Sequence, residues 1–151
     1  MKVIIQRVKS AKVTRELDKK VVGEIQSGLF ILLGIKKDDT EKQVVEVVNK
    51  ILKLRIMKDP PDGEAGKMNL SVMDTKSEIL LVSQFTLYAN TKDGNRPSFL
   101  DAEEPTRAKE LYEFMINKLK ESGLNIQTGS FGDYMKIDCV LDGPVTIVLE
   151  N

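Results

Sequence analysis

The 151-residue chain contains no histidine. Without one there is no Ser-His-Asp triad, no Cys-His pair and no His-ligated zinc. Hydrolytic chemistry would have to use another base, a metal held by carboxylates, or a group on the substrate. The single cysteine excludes an intrachain disulfide and suits a reducing cytosol, so a cytoplasmic location is expected. Net charge is also missing, with 23 basic residues against 23 acidic. Binding of extended duplex DNA through a global positive field is therefore not expected, although a local contact to a nucleic-acid end stays open. No apolar run approaches the roughly 20 residues needed to cross a bilayer. The opening MKVIIQRVKSAKV is too short and too interrupted for a signal peptide, so no membrane association is expected. Repeats, low-complexity tracts and linkers are absent, and one domain over residues 1–151 is expected.

The chain is organised around residues 77–90, SEILLVSQFTLYAN. Four apolar residues, Ile79 to Val82, read as a strand buried on both faces. Alternation continued to Tyr88 would put Leu80, Val82, Gln84, Thr86 and Tyr88 on one face. Gln84 and Thr86 are then either satisfied locally or aimed at a ligand. A second central strand is expected over residues 29–35, where Gly34 hints at a close backbone approach.

The remaining elements follow from periodicity and punctuation. Residues 2–8 read as a strand ended by Arg7, and 10–15 with 21–25 as a hairpin around the polar turn 16–20. Residues 38–55 read as a helix whose Thr40 and Gln43 have capping-box spacing. Pro60, Pro61, Gly63 and Gly66 make 58–69 a loop, and a turn at 74–77 follows. Residues 89–103 are a long connection of a length that is often functional. A second helix begins at Pro105 and stops at Gly123. Strands over 125–128, 135–141 and 145–149 complete the chain. The fold class is α/β: a single domain of mixed, barrel-like strands, seven or eight in number, with two main helices.

Several residues have more than one reading. Gly143–Pro144 is an ordinary trans-proline turn or a rigid device that fixes the direction of two carbonyls. Arg7 is a strand-end surface cation or an anchor for backbone carbonyls. Cys139 reads as a buried structural thiol. Asp101, Glu103 and Glu104, like Asp38 and Asp39, read as acidic groups at helix starts rather than metal ligands. Thr86 could act as a nucleophile only if something removed its proton, and no base lies near it in sequence.

The combination of VSQFTLYA (82–89), GNRPSF (94–99) and DGPVT (142–146) resembles the D-aminoacyl-tRNA deacylases, once called D-tyrosyl-tRNA deacylases. The likeness extends to MKVIIQRV (1–8), KILKLRI (50–56) and TGSFGDYM (128–135). It implies a homodimeric α/β fold that removes D-amino acids esterified to the 3′ end of tRNA, and glycine mischarged onto the alanine tRNA. It further implies that Ser83, Gln84, Phe85 and Thr86 line the pocket for the terminal adenosine and the ester. Phe131 and Met135 match residues near that adenosine. Gly143–Pro144 matches a cis dipeptide that enters the partner's pocket and excludes an L side chain, and Arg7 matches the arginine that holds it. The family usually reads Asn-x-Gly-Pro, whereas here Leu141 stands in the first position. No cofactor or metal is implied. The expected mechanism is ester hydrolysis assisted by the ribose 2′-hydroxyl, with the Phe85 and Thr86 amides as oxyanion donors. Thr86 as nucleophile is the alternative mechanism. The competing functions are a non-enzymatic nucleic-acid module and a ligand-free dimerisation module.

Overall fold

The computed structural model describes residues 1–59, 67–92 and 94–151. In chain order these form β1 (Lys2–Arg15), β2 (Val21–Ile25), β3 (Gly28–Gly34), α1 (Glu41–Lys53), β4 (Met57–Lys58) and β5 (Met68–Leu70). Then come α2 (Val72–Thr75), β6 (Glu78–Ser83), a 3-10 turn (Phe85–Tyr88), α3 (Pro105–Lys120), β7 (Ile126–Thr128) and β8 (Met135–Glu150). The main sheet runs β2-β1-β3-β6-β7, with β8 added to β1. Strand β1 pairs with β8 along its length on one side; on the other it pairs with β3 over its first half and β2 over its second. The sheet therefore curls about β1, and β2 comes back into contact with β7, nearly closing a barrel.

The curl creates two cores. Leu29, Ile31, Leu33, Ile79 and Leu81 pack under α1 and α3. Val8, Val13, Phe30, Leu80 and Val82 fill the inside of the curl. Strands β3 and β6 face both cores, which is why their sequences are apolar runs rather than alternations. They run parallel, Leu33 beside Ser83, with β7 parallel on the far side of β6. Helix α1 starts at the expected capping box, with the Thr40 hydroxyl accepting from the Gln43 amide and the Gln43 side chain from that of Thr40. Its Val44, Val47, Val48 and Ile51 are buried. At roughly 2 kcal/mol each, these side chains hold the helix more firmly than its propensity does.

The structure departs from the sequence reading at identifiable places. Arg7 does not end β1; the strand passes through it because its guanidinium, 3% exposed, is satisfied by carbonyls rather than by water. Strand β6 stops at Ser83, and the chain tightens into the 3-10 turn instead of alternating to Tyr88. The expected turn at 74–77 overlaps α2, a third helix with its own Ser71–Asp74 capping box. Residues 135–150 form one strand, so Gly143–Pro144 interrupts β8 as an irregularity in its register rather than separating two strands. Cys139 is exposed, not buried. Asp39 is buried beneath the Met1 ammonium at 2.9 Å, and Glu104 caps α3 without a side-chain bond. The core of the expected 58–69 loop, with Pro60, Pro61, Gly63 and Gly66, lies outside the described residues; its flanks pair as β4 and β5.

Candidate active site

At the carboxyl ends of the parallel strands β3 and β6 lies a cavity of about 770 Å³. Ligands in α/β sheets gather at such ends because no further strand pairing covers them, and the size suits one nucleoside with a small appended group. Leu33 and Ile35 leave β3 into its wall, and Val82 and Ser83 leave β6. The site residues expected from sequence meet here in part. Ser83, Gln84, Phe85, Phe131 and Met135 all line it. Thr86 does not; it sits one residue beyond the wall, tied to the wall through Gln84. Arg7, Gly143 and Pro144 are elsewhere, toward the opposite end of β8.

The 3-10 turn is held where it is by a missing side chain. A Cβ on Gly34 would meet the Leu87 Cβ at 3.0 Å and the Gln84 carbonyl at 3.2 Å. The Gln84 amide bonds the Leu33 carbonyl at 2.7 Å, and the turn then closes from the Leu87 amide to the Gln84 carbonyl at 3.3 Å. That first closing bond leaves the Phe85 and Thr86 N–H groups unused by the turn itself. Replacing Gly34 by Ala is expected to cost about 1–3 kcal/mol of stability and to lower kcat by roughly tenfold through displacement of the turn. Thermal melts and steady-state rates check this; an unchanged kcat would mean that the turn's position does not matter.

Gln84 donates its side-chain N–H to the Thr86 hydroxyl. A neutral amide accepts no proton, and an oxygen that receives a hydrogen bond is a weaker nucleophile. The opposite wall comes from the turn at 129–134. It docks on β6 through the Gly129 amide to the Leu81 carbonyl (3.0 Å) and carries Phe131 against Tyr112, ring centroids 5.6 Å apart. Tyr112 donates to the same Leu81 carbonyl at 2.8 Å; burial raises its pKa, so it stays a protonated strut. Sequence reasoning missed the third wall. Phe99 from the 89–103 connection meets Phe85 edge-on at 5.1 Å, and Lys37, Glu103, Glu104 and Asp133 stand around the lining. The length of that connection was the signal, without indicating where it folds. Asp133 is engaged by the Ser130 hydroxyl and by Arg15 at 3.6 Å, and Glu103 accepts the Glu104 N–H at 2.8 Å.

The Gly143–Pro144 peptide bond is cis, with Gly143 at φ +136°, a conformation suited to glycine. Arg7 holds the residue before it: Nε donates to the Asp142 carbonyl at 3.2 Å and pairs with its carboxylate at 3.0 Å, while Nη1 reaches the Ile56 carbonyl at 2.6 Å. Of the two readings of Arg7, the carbonyl anchor is the one the structure adopts. Lys58 takes the other Asp142 oxygen at 2.8 Å, and this bond, then the charges of Arg7 and Lys9, holds the carboxyl below its ordinary range.

Fold and site together define an α/β protein with a nucleoside-sized pocket at the carboxyl ends of parallel strands and a separately anchored Gly-Pro dipeptide. A family model described as D-Tyr-tRNA(Tyr) deacylase matches residues 4–150, and the chain belongs to that family and is a hydrolase. A D-aminoacyl-tRNA deacylase of Aquifex aeolicus is 55% identical over 151 residues, covering 100% of this chain and 98% of the relative. One from Thermosipho melanesiensis is 47% identical over 152 residues, covering 100% and 97%. The solved structure of a c-Myc DNA Unwinding Element Binding Protein superposes with a TM-score of 0.89 at 41% identity, covering 100% of this chain and 99% of that one. A probable eukaryotic D-amino acid tRNA deacylase superposes with a TM-score of 0.84 at 15% identity, covering 98% and 97%, a likeness of fold. Among the described residues no helix is long and apolar enough to cross a membrane.

Proposed function

We propose that this protein hydrolyses the ester of D-aminoacyl-tRNA in the cytoplasm, releasing D-amino acid and tRNA, and that it does so as a homodimer. The terminal adenosine enters the cavity with its base against Phe131 and Met135. The ester lies at Ser83, Gln84 and the Phe85 and Thr86 amides, which receive the developing oxyanion. The ribose 2′-hydroxyl beside the ester supplies the assistance that no histidine can give.

The observation that carries the dimer is the distance between the two parts of the site. Along β8, Met135 and Ile137 line the cavity, while Gly143–Pro144 lies level with Arg7, about six residues along β1 from Val13, the partner of Ile137, or roughly 20 Å away. The dipeptide cannot serve its own pocket. Strand β8 pairs only with β1 among the described residues, no residue along it is fully buried, and Val140, Leu141 and Val148 are 53%, 44% and 59% exposed. A two-fold-related copy would cover this edge and bring its dipeptide to the neighbouring pocket. Carbonyls held there need not grip a D side chain; they only deny room to an L side chain. Glycine has no side chain to exclude, so glycine mischarged onto the alanine tRNA is expected to pass and be cleared as well.

Incubation with D-, L- and glycyl-tRNA tests the reading. D-aminoacyl and glycyl esters are expected to be cleared and L-esters spared; equal rates on the D- and L-esters would overturn it. The likeness to a DNA Unwinding Element Binding Protein at 41% identity favours a second reading, a DNA-binding module. Duplex binding without any deacylation would select it, but a neutral chain offers little attraction for a duplex.

A further inference from the structure

Lys37 is the one cation among the described residues that line the cavity; Glu103, Glu104 and Asp133 supply the negative charge. Its backbone is fixed. The Lys37 amide donates to the Asp101 carbonyl at 3.1 Å, Lys36 bridges to Ala102, and the Glu103 amide donates to the Ile35 carbonyl at 3.0 Å. The Lys36 amide donates to the buried Asp39 carboxylate at 2.7 Å, which itself holds the Met1 ammonium. The exit of β3 is thereby stapled to the 101–103 segment, and Lys37 is presented at the cavity from a rigid base. Its side chain is exposed, and no carboxylate or carbonyl among the described residues takes its ammonium.

A rigidly based ammonium left unpaired beside three carboxylates is expected to meet an anion brought by the ligand. The chain as a whole is neutral, so any attraction for RNA phosphate has to be local. A terminal nucleoside seated against Phe131 must send its 5′ phosphodiester out through the mouth. There Glu103, Glu104 and Asp133 repel it, and Lys37 is the one cation among the described lining residues that attracts it. We infer that Lys37 receives the phosphodiester on the 5′ side of the terminal adenosine, so that the RNA strand leaves over residues 35–37. This rests on the deacylase reading and adds to it a phosphate contact and a direction for the RNA.

The test compares two substrates of the full-length protein: D-aminoacyl-tRNA, and D-aminoacyl-adenosine, which has the ester and base but no phosphate. Lys37→Ala is expected to lower the ratio of kcat/KM on tRNA to that on the nucleoside by about fivefold at about 50 mM salt, and by less at about 200 mM. The salt dependence on tRNA should become shallower by about one ion. Lys37→Glu should lower the ratio further, and Lys37→Arg should restore it. A ratio unchanged in Lys37→Ala at low salt, or no worse in Lys37→Glu, overturns the inference while leaving the deacylase intact. Wild-type protein inactive on both substrates overturns the deacylase reading and this inference with it.

Discussion

A D-aminoacyl-tRNA ending in 2′-deoxyadenosine is expected to be hydrolysed roughly 10³-fold more slowly than the same ester on adenosine. The expectation follows from what surrounds the ester. The chain has no histidine, and the Thr86 hydroxyl accepts a hydrogen bond from an amide that cannot take its proton. Two of the carboxylates in the lining, Asp133 and Glu103, are already committed to neighbours. Glu104 alone makes no side-chain bond among the described residues, so it is the rival base within the protein. Single-turnover rates separate the schemes. Thr86→Ala and Glu104→Gln should each stay within about tenfold of wild type, whereas loss of a nucleophile or general base costs about 10² or more. Full activity on the deoxy substrate, or near-complete loss in either variant, would remove the 2′-hydroxyl from the mechanism.

The second large effect is expected on stereochemistry. Replacing Arg7 by Ala should lower the ratio of D- to L-ester hydrolysis by about 10²-fold while D-ester hydrolysis persists. Arg7 is buried and makes three bonds that fix Asp142 and the Ile56 carbonyl, so its loss should also cost about 3 kcal/mol. Arg7→Lys supplies the charge without the fork that joins two segments, and should recover stability more than selectivity. The Asp142 carboxyl is held below its ordinary 3.8, chiefly by Lys58. A depressed folded value means that its contribution is complete above 3.8 and is lost as pH falls through the lowered value. Denaturation at graded pH should show a shallower acid limb in Asp142→Asn than in wild type, the remainder coming from Asp18 and Asp74, whose carboxyls are also held low. L-esters rejected as strictly by Arg7→Ala as by wild type would separate the dipeptide from the sorting of hands.

Much of this was legible in the sequence because it is local. The apolar runs marked β3 and β6, and Thr40 with Gln43 marked the start of α1. Gln84 and Thr86 stood out as a change of character after the apolar run; Gln84 lines the cavity, and Thr86 stands one residue beyond its wall. What failed depends on distant partners. Arg7 looked like a terminus because its carbonyl acceptors come from residues 56 and 142. The alternation assumed through Tyr88 broke because Leu33 captures the Gln84 amide and Gly34 makes room for a tighter turn. Cys139 alternates with apolar neighbours as a buried residue would, yet it is exposed, on a strand that pairs only with β1 among the described residues. Phe99 and Lys37 join the site through the folding of an irregular connection, which carries no period to read.

The central claim is that each pocket is guarded by its partner's dipeptide, and mixed dimers test it most directly. Phe85→Pro removes one amide donor at the first position of the 3-10 turn, where proline is tolerated, and should leave a folded but inactive pocket with a sound dipeptide. Arg7→Ala has a sound pocket and a loosened dipeptide. Assembled with about a tenfold excess of Phe85→Pro chains, nearly every Arg7→Ala pocket faces an intact dipeptide, so L-ester hydrolysis per Arg7→Ala chain should fall about tenfold while D-ester hydrolysis persists. L-ester hydrolysis unchanged by the excess would contradict the account.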